Sequence, residues 1–299
     1  MLESSSLLGS EPNTQNEAKS SVKVPRDQTQ WEKWKKTWMR ALQKSCFSDW
    51  PKEFTPLNAQ EKFSAQSNNI SLRALEFDGP AGRRCLYISH YPGLQEPDLV
   101  VLTTLGKEGW KDFLAAMRPG FEKELGFKDL PEPDLKSFEQ HQGMYRSFKW
   151  AMAYLAPSGI GPHSLSSGDE KENSRLDSVR VLELRKAIKT LRSAGRMGKV
   201  PVWLQGQGDM AGVTLYAGLF EPDIARFDLH DLPKSHKQSF FLKNALPILD
   251  LPQAVALALE NSQLILYQDD KKGWDYPATT AKQLEWTNRL QIRTPRPPK

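Results

Sequence analysis

The sequence predicts a three-layer α/β protein, with a mostly parallel sheet and helices on both faces. Continuous apolar runs at 99–105 and 263–267 are typical of strands buried on both sides. Segments with a helical period, such as 179–193, alternate with such runs, and this alternation favours a parallel sheet. The stretch 200–220 combines an apolar strand, a glycine-rich turn and a small-residue helix. Open α/β sheets build sites at strand carboxyl ends from this unit.

The N-terminal half begins with a helix and a hairpin. The runs 71–77 and 84–90 read as strands on either side of the turn Asp-Gly-Pro-Ala-Gly, which predicts an antiparallel pair. After the strand at 99–105, a helix is predicted over 110–117, closed by Pro119-Gly120. Before the hairpin, four apolar residues at three- and four-residue spacing predict an amphipathic helix whose aromatic face docks on the main body: Trp31, Trp34, Trp38 and Leu42.

In the C-terminal half, strands and helices alternate. An apolar segment at 148–155 leads into a polar surface loop that runs to 177. Asp250 and Pro252 supply a cap and a first-turn proline for a helix. The remaining predicted elements are helix 179–193, strand 200–204, helix 211–220, strand 224–229, helix 253–260, strand 263–267 and helix 280–290.

The chain divides into three predicted parts. Residues 1–28 are polar and poor in aromatics, so they predict a disordered leader. Residues 29–56 hold the tryptophan-rich helix and a linker. Residues 57–299 form the main domain, which is large enough for one substantial core.

Composition excludes several function classes. The net charge of +5 over 299 residues is mild and spread along the chain, which argues against a nucleic-acid partner. No run is apolar enough for a membrane helix, and no signal peptide is visible, so the default expectation is a cytoplasmic protein. Cys46 and Cys85 fit neither a disulfide framework nor a metal site. We therefore expect no metal and no cofactor.

The glycine-rich turn is close to the nucleophile elbow Gly-x-Ser-x-Gly. If Gly206 is the first glycine, Gly208 stands where the nucleophile should be. If the motif is shifted by one residue, Asp209 stands there, and a carboxylate can form a covalent ester intermediate. Asp209 could instead cap the following helix. The residues alone leave these alternatives open.

The same turn also matches a dinucleotide-binding loop, G-x-G-x-x-A, from Gly206 through Gly208 to Ala211. Asp228 follows about 20 residues later, where the acid that binds ribose is expected. Against an NAD(P) site, the loop lies two-thirds along the chain, and Asp209 would repel the pyrophosphate. This interpretation is a second alternative.

The order of segments resembles that of a known family. The segments are Ala156-Pro157-Ser158-Gly159-Ile160-Gly161-Pro162, the helix 180–188, the elbow, and 249–257. Together they are similar to α/β-hydrolases of the acetyl xylan esterase and prolyl-oligopeptidase-related type, especially large planctomycete-type proteins. The resemblance spans about 70–290. It implies an α/β-hydrolase fold, ester or related acyl hydrolysis, and a second hydrolase-like domain or chain as a partner.

The resemblance also implies a set of site residues. It places a serine at the elbow, an acid after a late strand and a histidine after the last strand. The oxyanion region is expected near Leu105 and Gly106, and Asp269 or Asp270 could supply the acid. The serine is missing, and none of the five histidines follows the strand before Asp269. His236 is the best substitute, so the sequence predicts a degenerate, non-catalytic or weakly active hydrolase.

Overall fold

The computed structural model describes residues 23–52, 55–165 and 174–295. Predictions on 1–22 and 166–173 lie outside the described residues. The helices are α1 (Gln28–Ser45), α2 (Lys107–Leu125), α3 (Leu135–Ser147), α4 (Leu176–Ser193), α5 (Asp209–Leu219), α6 (Leu251–Leu259) and α7 (Asp275–Gln283). The strands are β1 (Gln60–Ser67), β2 (Ile70–Gly79), β3 (Gly82–His90), β4 (Leu99–Thr104), β5 (Trp150–Leu155), β6 (Val202–Gln207), β7 (Ile224–His230), β8 (Gln263–Tyr267) and β9 (Leu290–Arg293).

All nine strands form one sheet, in the order β1-β2-β3-β5-β4-β6-β7-β8-β9. The first three strands pair antiparallel, and β3 is also antiparallel to β5. The strands from β5 to β9 all run parallel. The predicted hairpin and the mostly parallel sheet are therefore confirmed. From β4 the chain moves outwards to β5 on one side and to β6 on the other, which makes a topological switch point.

Two apolar clusters fill the layers on either side of the sheet. Because side chains alternate between faces along a strand, Leu204 and Phe227 face the larger cluster, with α1 and α4 to α7. The smaller cluster holds α2 and α3 against β1, β2, β3 and β5. Among the described residues, this smaller cluster includes none from β6 to β9. There the sheet presents polar and aromatic groups, such as Arg226 stacked 4.1 Å over the Trp203 ring.

The tryptophan-rich helix α1 packs on the larger cluster. Trp31 is fully buried and meets the Trp286 ring edge to face, with 5.2 Å between ring centroids. Farther along, the Trp50 Nε1–H donates to the carbonyl of Ser178 on α4 at 3.2 Å. Across the described ranges, every helix is too short or too polar to span a bilayer.

Several boundaries differ from the predictions. Helix α2 does not stop at Pro119-Gly120 but continues to Leu125, with a kink where Phe121 leaves helical geometry. The buried Phe121 and Leu125 hold this second half in place, so packing overrides the local break. The predicted helix 280–290 was wrong in its second half: α7 ends at Gln283 and Leu290 opens β9. Helix α3 and strand β1 were missed because both are rich in polar residues.

Candidate crevice at the strand carboxyl ends

The glycine-rich turn joins β6 to α5 at the switch point. Gly208 lies between them with φ 57° and ψ −127°, a conformation that L side chains rarely adopt. Its N–H donates to the carbonyl of His230 at 2.9 Å, which ties the turn to the neighbouring strand β7. Asp209 is already the first residue of α5. The tip of this sharp strand-to-helix turn is therefore Gly208, as in the unshifted alignment with a nucleophile elbow.

Gly206 lets α5 pack closely on β6. A Cβ atom at Gly206 would lie 2.5 Å from both the Met210 carbonyl oxygen and Thr214 Oγ1. The motif's first position must therefore stay without a side chain. Gly208 differs, because a Cβ there would meet no atom within 4 Å. The tip has room for a nucleophilic side chain but carries none.

Asp209 neither occupies the tip nor caps the helix. The N-cap is Gly208, and no side chain caps the first turn of α5. The Asp209 oxygen Oδ1 is shielded from solvent and has no hydrogen-bond partner within the described ranges. An unpaired buried acceptor costs free energy, so this oxygen is a conspicuous exception in the site.

A cavity of about 580 Å³ opens at this point. The start of α2 and the start of α5 both contribute to its wall, and neither helix has a side-chain cap. First-turn N–H groups of a helix lack partners within the helix, so both ends direct donors and partial positive charge towards the cavity. The lining residues are Gly106, Lys107, Ile160, Ser174, Leu176, Asp177, Arg180, Gln207, Asp209, Met210, Ser239 and Phe241.

Of the two predicted oxyanion residues, one borders the cavity and the other is buried behind it. Gly106 is the N-cap of α2 and lines the cavity. Leu105 is buried behind it, and its N–H is already bonded to the Leu155 carbonyl at 2.9 Å. Only Gly106 of this pair therefore borders the cavity, together with the elbow residues Gln207 and Asp209.

A second carboxylate in the wall is fully bonded. Asp177 Oδ1 accepts from Arg180 at 3.0 Å, and Oδ2 accepts from the Phe241 N–H at 3.2 Å. Burial raises the pKa of Asp177, and the charge of Asp209 raises it further, although Arg180 opposes both effects. Asp177 lay in the predicted surface loop, so the sequence analysis missed it. Arg180, one turn later on α4, was the available signal.

Beneath the cavity, Arg180 joins a buried polar network. Its Nε donates to the Ser158 carbonyl at 2.8 Å. The carboxylate of Glu183, which has no exposed surface, accepts from Arg84 Nε at 2.7 Å and from the Ser158 hydroxyl and N–H at 2.7 and 2.8 Å. The charged residues Arg180 and Glu183 of α4 thus lie in the interior, and their charges are paired.

His236, the predicted base, lies away from the cavity. Its Nδ1 and Asp250 Oδ1 are 2.8 Å apart, and its Nε2 and the Tyr216 hydroxyl are 3.0 Å apart. Because an ionised carboxylate can only accept, Nδ1 donates to Asp250; in the neutral imidazole Nε2 then accepts from the tyrosine hydroxyl. Burial raises the pKa of Tyr216 far above its ordinary value. This Asp–His–Tyr chain resembles a catalytic triad in connectivity, but its tyrosine has no exposed surface.

The other histidines are also engaged elsewhere. His230 stacks on Tyr267 with 4.2 Å between ring centroids, and burial lowers its pKa. His163 lies 3.4 Å from Arg84, and burial together with that cation lowers its pKa to about 4. All five histidines lie in the described part of the chain, and none lines the cavity: His90, His141, His163, His230 and His236.

The predicted catalytic acids and the predicted ribose-binding acid also lie outside the cavity or are bonded to other groups. Asp269 is exposed and does not line the cavity. Asp270 pairs with Lys234 at 3.0 Å. The Asp228 carboxylate is held by Arg226 through two hydrogen bonds of 2.8 and 2.9 Å, so it is not free to bind a ribose. Within the described residues, no group of three potential ligands could hold a metal ion.

Comparisons with known proteins rest on structure alone. No protein-family model matches the sequence, and no curated protein matches it. The chain is similar to a Bacteroides fragilis protein assigned as an acetyl xylan esterase: TM-score 0.61, 14% identity, 89% of this chain and 75% of that one. It is also similar to a glucuronoyl esterase from Solibacter usitatus: TM-score 0.60, 13% identity, 92% of this chain and 93% of that one.

A third similar structure is acetyl xylan esterase 1 from a Thermoanaerobacterium species, with TM-score 0.52, 11% identity and coverage of 88% of this chain and 86% of that one. At such identities the likeness concerns the fold. The sheet, its switch point and its elbow define an α/β-hydrolase fold. More narrowly, it is the fold of acetyl xylan esterases, as the resemblance implied, and also of glucuronoyl esterases.

Proposed function

We propose that this protein binds a ligand in the crevice of an esterase-type fold without hydrolysing it. The observation that carries this proposal is Gly208. It has the backbone conformation of an elbow tip and open space around it, but no side chain. Acyl transfer through a covalent intermediate needs a nucleophile and a base that activates it.

The surroundings of the tip support the same proposal. Ser174 and Ser239 line the cavity, but no histidine lies beside them in its wall. His236 holds Asp250 and Tyr216 together instead. What the crevice retains is the binding part of such a site: a cavity, two helix N-termini and fixed polar groups.

We further propose an acylated, neutral carbohydrate as the ligand class. The similar structures are esterases of acetylated xylan and of glucuronoyl esters, and their shared fold makes such oligosaccharides the first ligands to test. The first-turn N–H groups of α2 and α5 can donate to a carbonyl oxygen. A second hydrolase-like domain or chain as a binding partner remains part of this proposal.

Two measurements on the purified protein test the proposal. We expect no turnover of p-nitrophenyl acetate above the buffer rate. We also expect acetylated xylotetraose to raise the melting temperature, because a ligand that binds only the folded state stabilises it. Turnover that is lost in Asp209→Ala would contradict the proposal and favour an aspartate nucleophile.

The variant Gly208→Ser serves as a matched control for the missing nucleophile. A serine Cβ fits at the tip without a clash, so the variant should fold. We expect it to remain inactive, because no histidine in the cavity wall can take the hydroxyl proton. Robust turnover by this variant would show that a base reaches the crevice, and would overturn the account of the site.

A further inference from the structure

The crevice contains one carboxylate whose surroundings lack a partner. Asp177 and Asp209 line the same cavity. Asp177 accepts from Arg180 and from the Phe241 N–H, whereas Asp209 Oδ1 is shielded from solvent and accepts from no group. Seven buried side-chain atoms of the described residues lack a partner, and Asp209 Oδ1 is the one among them whose residue lines this cavity, so a ligand bound there can supply the partner.

The position of Asp209 favours such a partner. It is the first residue of α5, beside the uncapped first turn, and it lines the cavity that this helix start borders. A ligand group placed there can donate to the carboxylate and accept from the backbone. A hydroxyl beside a carbonyl oxygen, as in an acylated sugar, supplies both functions.

A ligand reaches this acceptor only if the carboxylate turns. Asp209 Oδ1 is shielded from solvent, so a donor in the cavity does not meet it in the unliganded arrangement. The terminal torsion of aspartate is broad and roughly two-fold, so either oxygen can turn towards an arriving donor.

The charges in the wall disfavour an anionic ligand. The Arg180 guanidinium is committed to Asp177 and to the Ser158 carbonyl. Asp209 therefore adds to the cavity wall a negative charge that Arg180 is not placed to neutralise.

We infer that Asp209 is the specificity-determining residue of the crevice: it accepts a hydrogen bond from a ligand hydroxyl and selects neutral oligosaccharides over anionic ones. This inference rests on the proposed function and deepens it by giving a role to one residue. Asp209 acts as a binding group and takes part in no covalent step.

The test compares two ligands of similar size on three proteins. Isothermal titration measures the affinity for neutral acetylated xylotetraose and for an anionic xylotriose that carries a glucuronic acid substituent with a free carboxylate. The proteins are the wild type, Asp209→Asn, and Asp269→Asn as a control at an exposed position outside the cavity. Thermal unfolding of each protein checks the fold.

We expect the wild type to bind the neutral ligand more tightly. Asp209→Asn should bind it about tenfold more weakly, since one charge-assisted hydrogen bond is lost, and the preference over the anionic ligand should shrink by a similar factor. Its melting temperature should stay close to that of the wild type, because the shielded oxygen makes no hydrogen bond to the described residues that the amide would lose. Asp269→Asn should match the wild type in every measurement.

The failures can be told apart. If the wild type binds neither oligosaccharide, the proposed ligand class is wrong and the role of Asp209 falls with it. If the wild type binds but Asp209→Asn keeps both its affinity and its preference, only the role of Asp209 is overturned. A lower melting temperature in Asp209→Asn with unchanged preference would assign the residue to the stability of α5 instead.

Discussion

Glu183 and Asp209 are two carboxylates with opposite surroundings. Glu183 has no exposed surface, and its two oxygens accept from Arg84 and Ser158. Asp209 borders the cavity, and its Oδ1 accepts from no group of the described residues. Six other buried side-chain atoms of the described residues also lack a partner, but none of them belongs to a residue that lines the cavity. The comparison therefore sets a carboxylate that holds the fold against one that borders a cavity.

The largest expected effect comes from breaking the interior network. Glu183→Ala removes the carboxylate that accepts from Arg84 and leaves a buried cation with only neutral partners: backbone carbonyl oxygens, the Ser158 hydroxyl and the His163 ring. Loss of one partner from a buried pair costs about 3–5 kcal/mol of unfolding free energy. Urea unfolding monitored by circular dichroism measures the change.

Glu108→Gln is the control for this variant. Glu108 pairs with Lys111 on the surface, where both side chains are mostly exposed. Exposed pairs contribute little, so the unfolding free energy should not change measurably. Equal losses in the two variants would remove the distinction between an interior network and surface charge pairs.

The two glycines of the elbow give a second comparison, with a smaller expected change in unfolding free energy. In Gly206→Ala the new methyl group meets the Met210 carbonyl and the Thr214 hydroxyl, so α5 must move off β6. We expect a loss of about 3 kcal/mol. In Gly208→Ala the methyl group enters open space, and only the positive φ is unfavourable, at about 1–2 kcal/mol. The same urea titration, run on both variants, measures the difference.

The order of the two losses in unfolding free energy tests whether the tip is open and whether α5 packs tightly on β6. A larger loss for Gly208→Ala than for Gly206→Ala would mean that the tip is not an open position. The proposal that Gly208 stands in place of a nucleophile would then lose its support. If Gly206→Ala were harmless, α5 would not be packed tightly against β6.

Much of the sheet could be predicted, because each parallel strand is a short apolar run that ends at a turn. Strand β8 was predicted at its observed bounds, and β4 within one residue. The polar strand β1 and helix α3 could not be recognised, since their side chains are largely exposed and carry little periodic signal. Strand β9 was hidden because Leu290 continued an apparently helical pattern.

The candidate site was predictable only where it depends on backbone. Gly206, Gly208 and Gly106 were named from a turn motif and a strand end; Gly106 lines the cavity, and the two elbow glycines lie in the turn that leads into Asp209 in its wall. Asp177 and Arg180 come from a different helix, and their approach to Asp209 depends on how α4 packs. No spacing in the sequence encodes that approach. Asp269 was named because the resemblance implies an acid after a late strand, and His236 as the best of the histidines, but neither lines the cavity.

The smallest effect concerns Asp250, which tests whether His236 belongs to the scaffold. Burial alone would raise the pKa of Asp250, but hydrogen bonds from the ring and N–H of His236, from Ser235 and from Leu251 outweigh it and hold the pKa well below its ordinary value. A depressed carboxyl pKa stabilises the folded state above the ordinary pKa of about 4, and this contribution is lost as the pH falls towards the folded-state value.

Asp250→Asn should therefore lower the unfolding free energy at pH 7 by about 1–2 kcal/mol, a modest loss because the carboxylate is partly exposed. The difference from the wild type should shrink as the pH falls below about 4, where the wild-type carboxylate begins to lose its advantage. Oligosaccharide affinity at pH 7 should stay unchanged, since neither Asp250 nor His236 lines the cavity. A loss of affinity without a loss of stability would instead connect this Asp–His–Tyr chain to the crevice, and the division between scaffold and crevice would have to be redrawn.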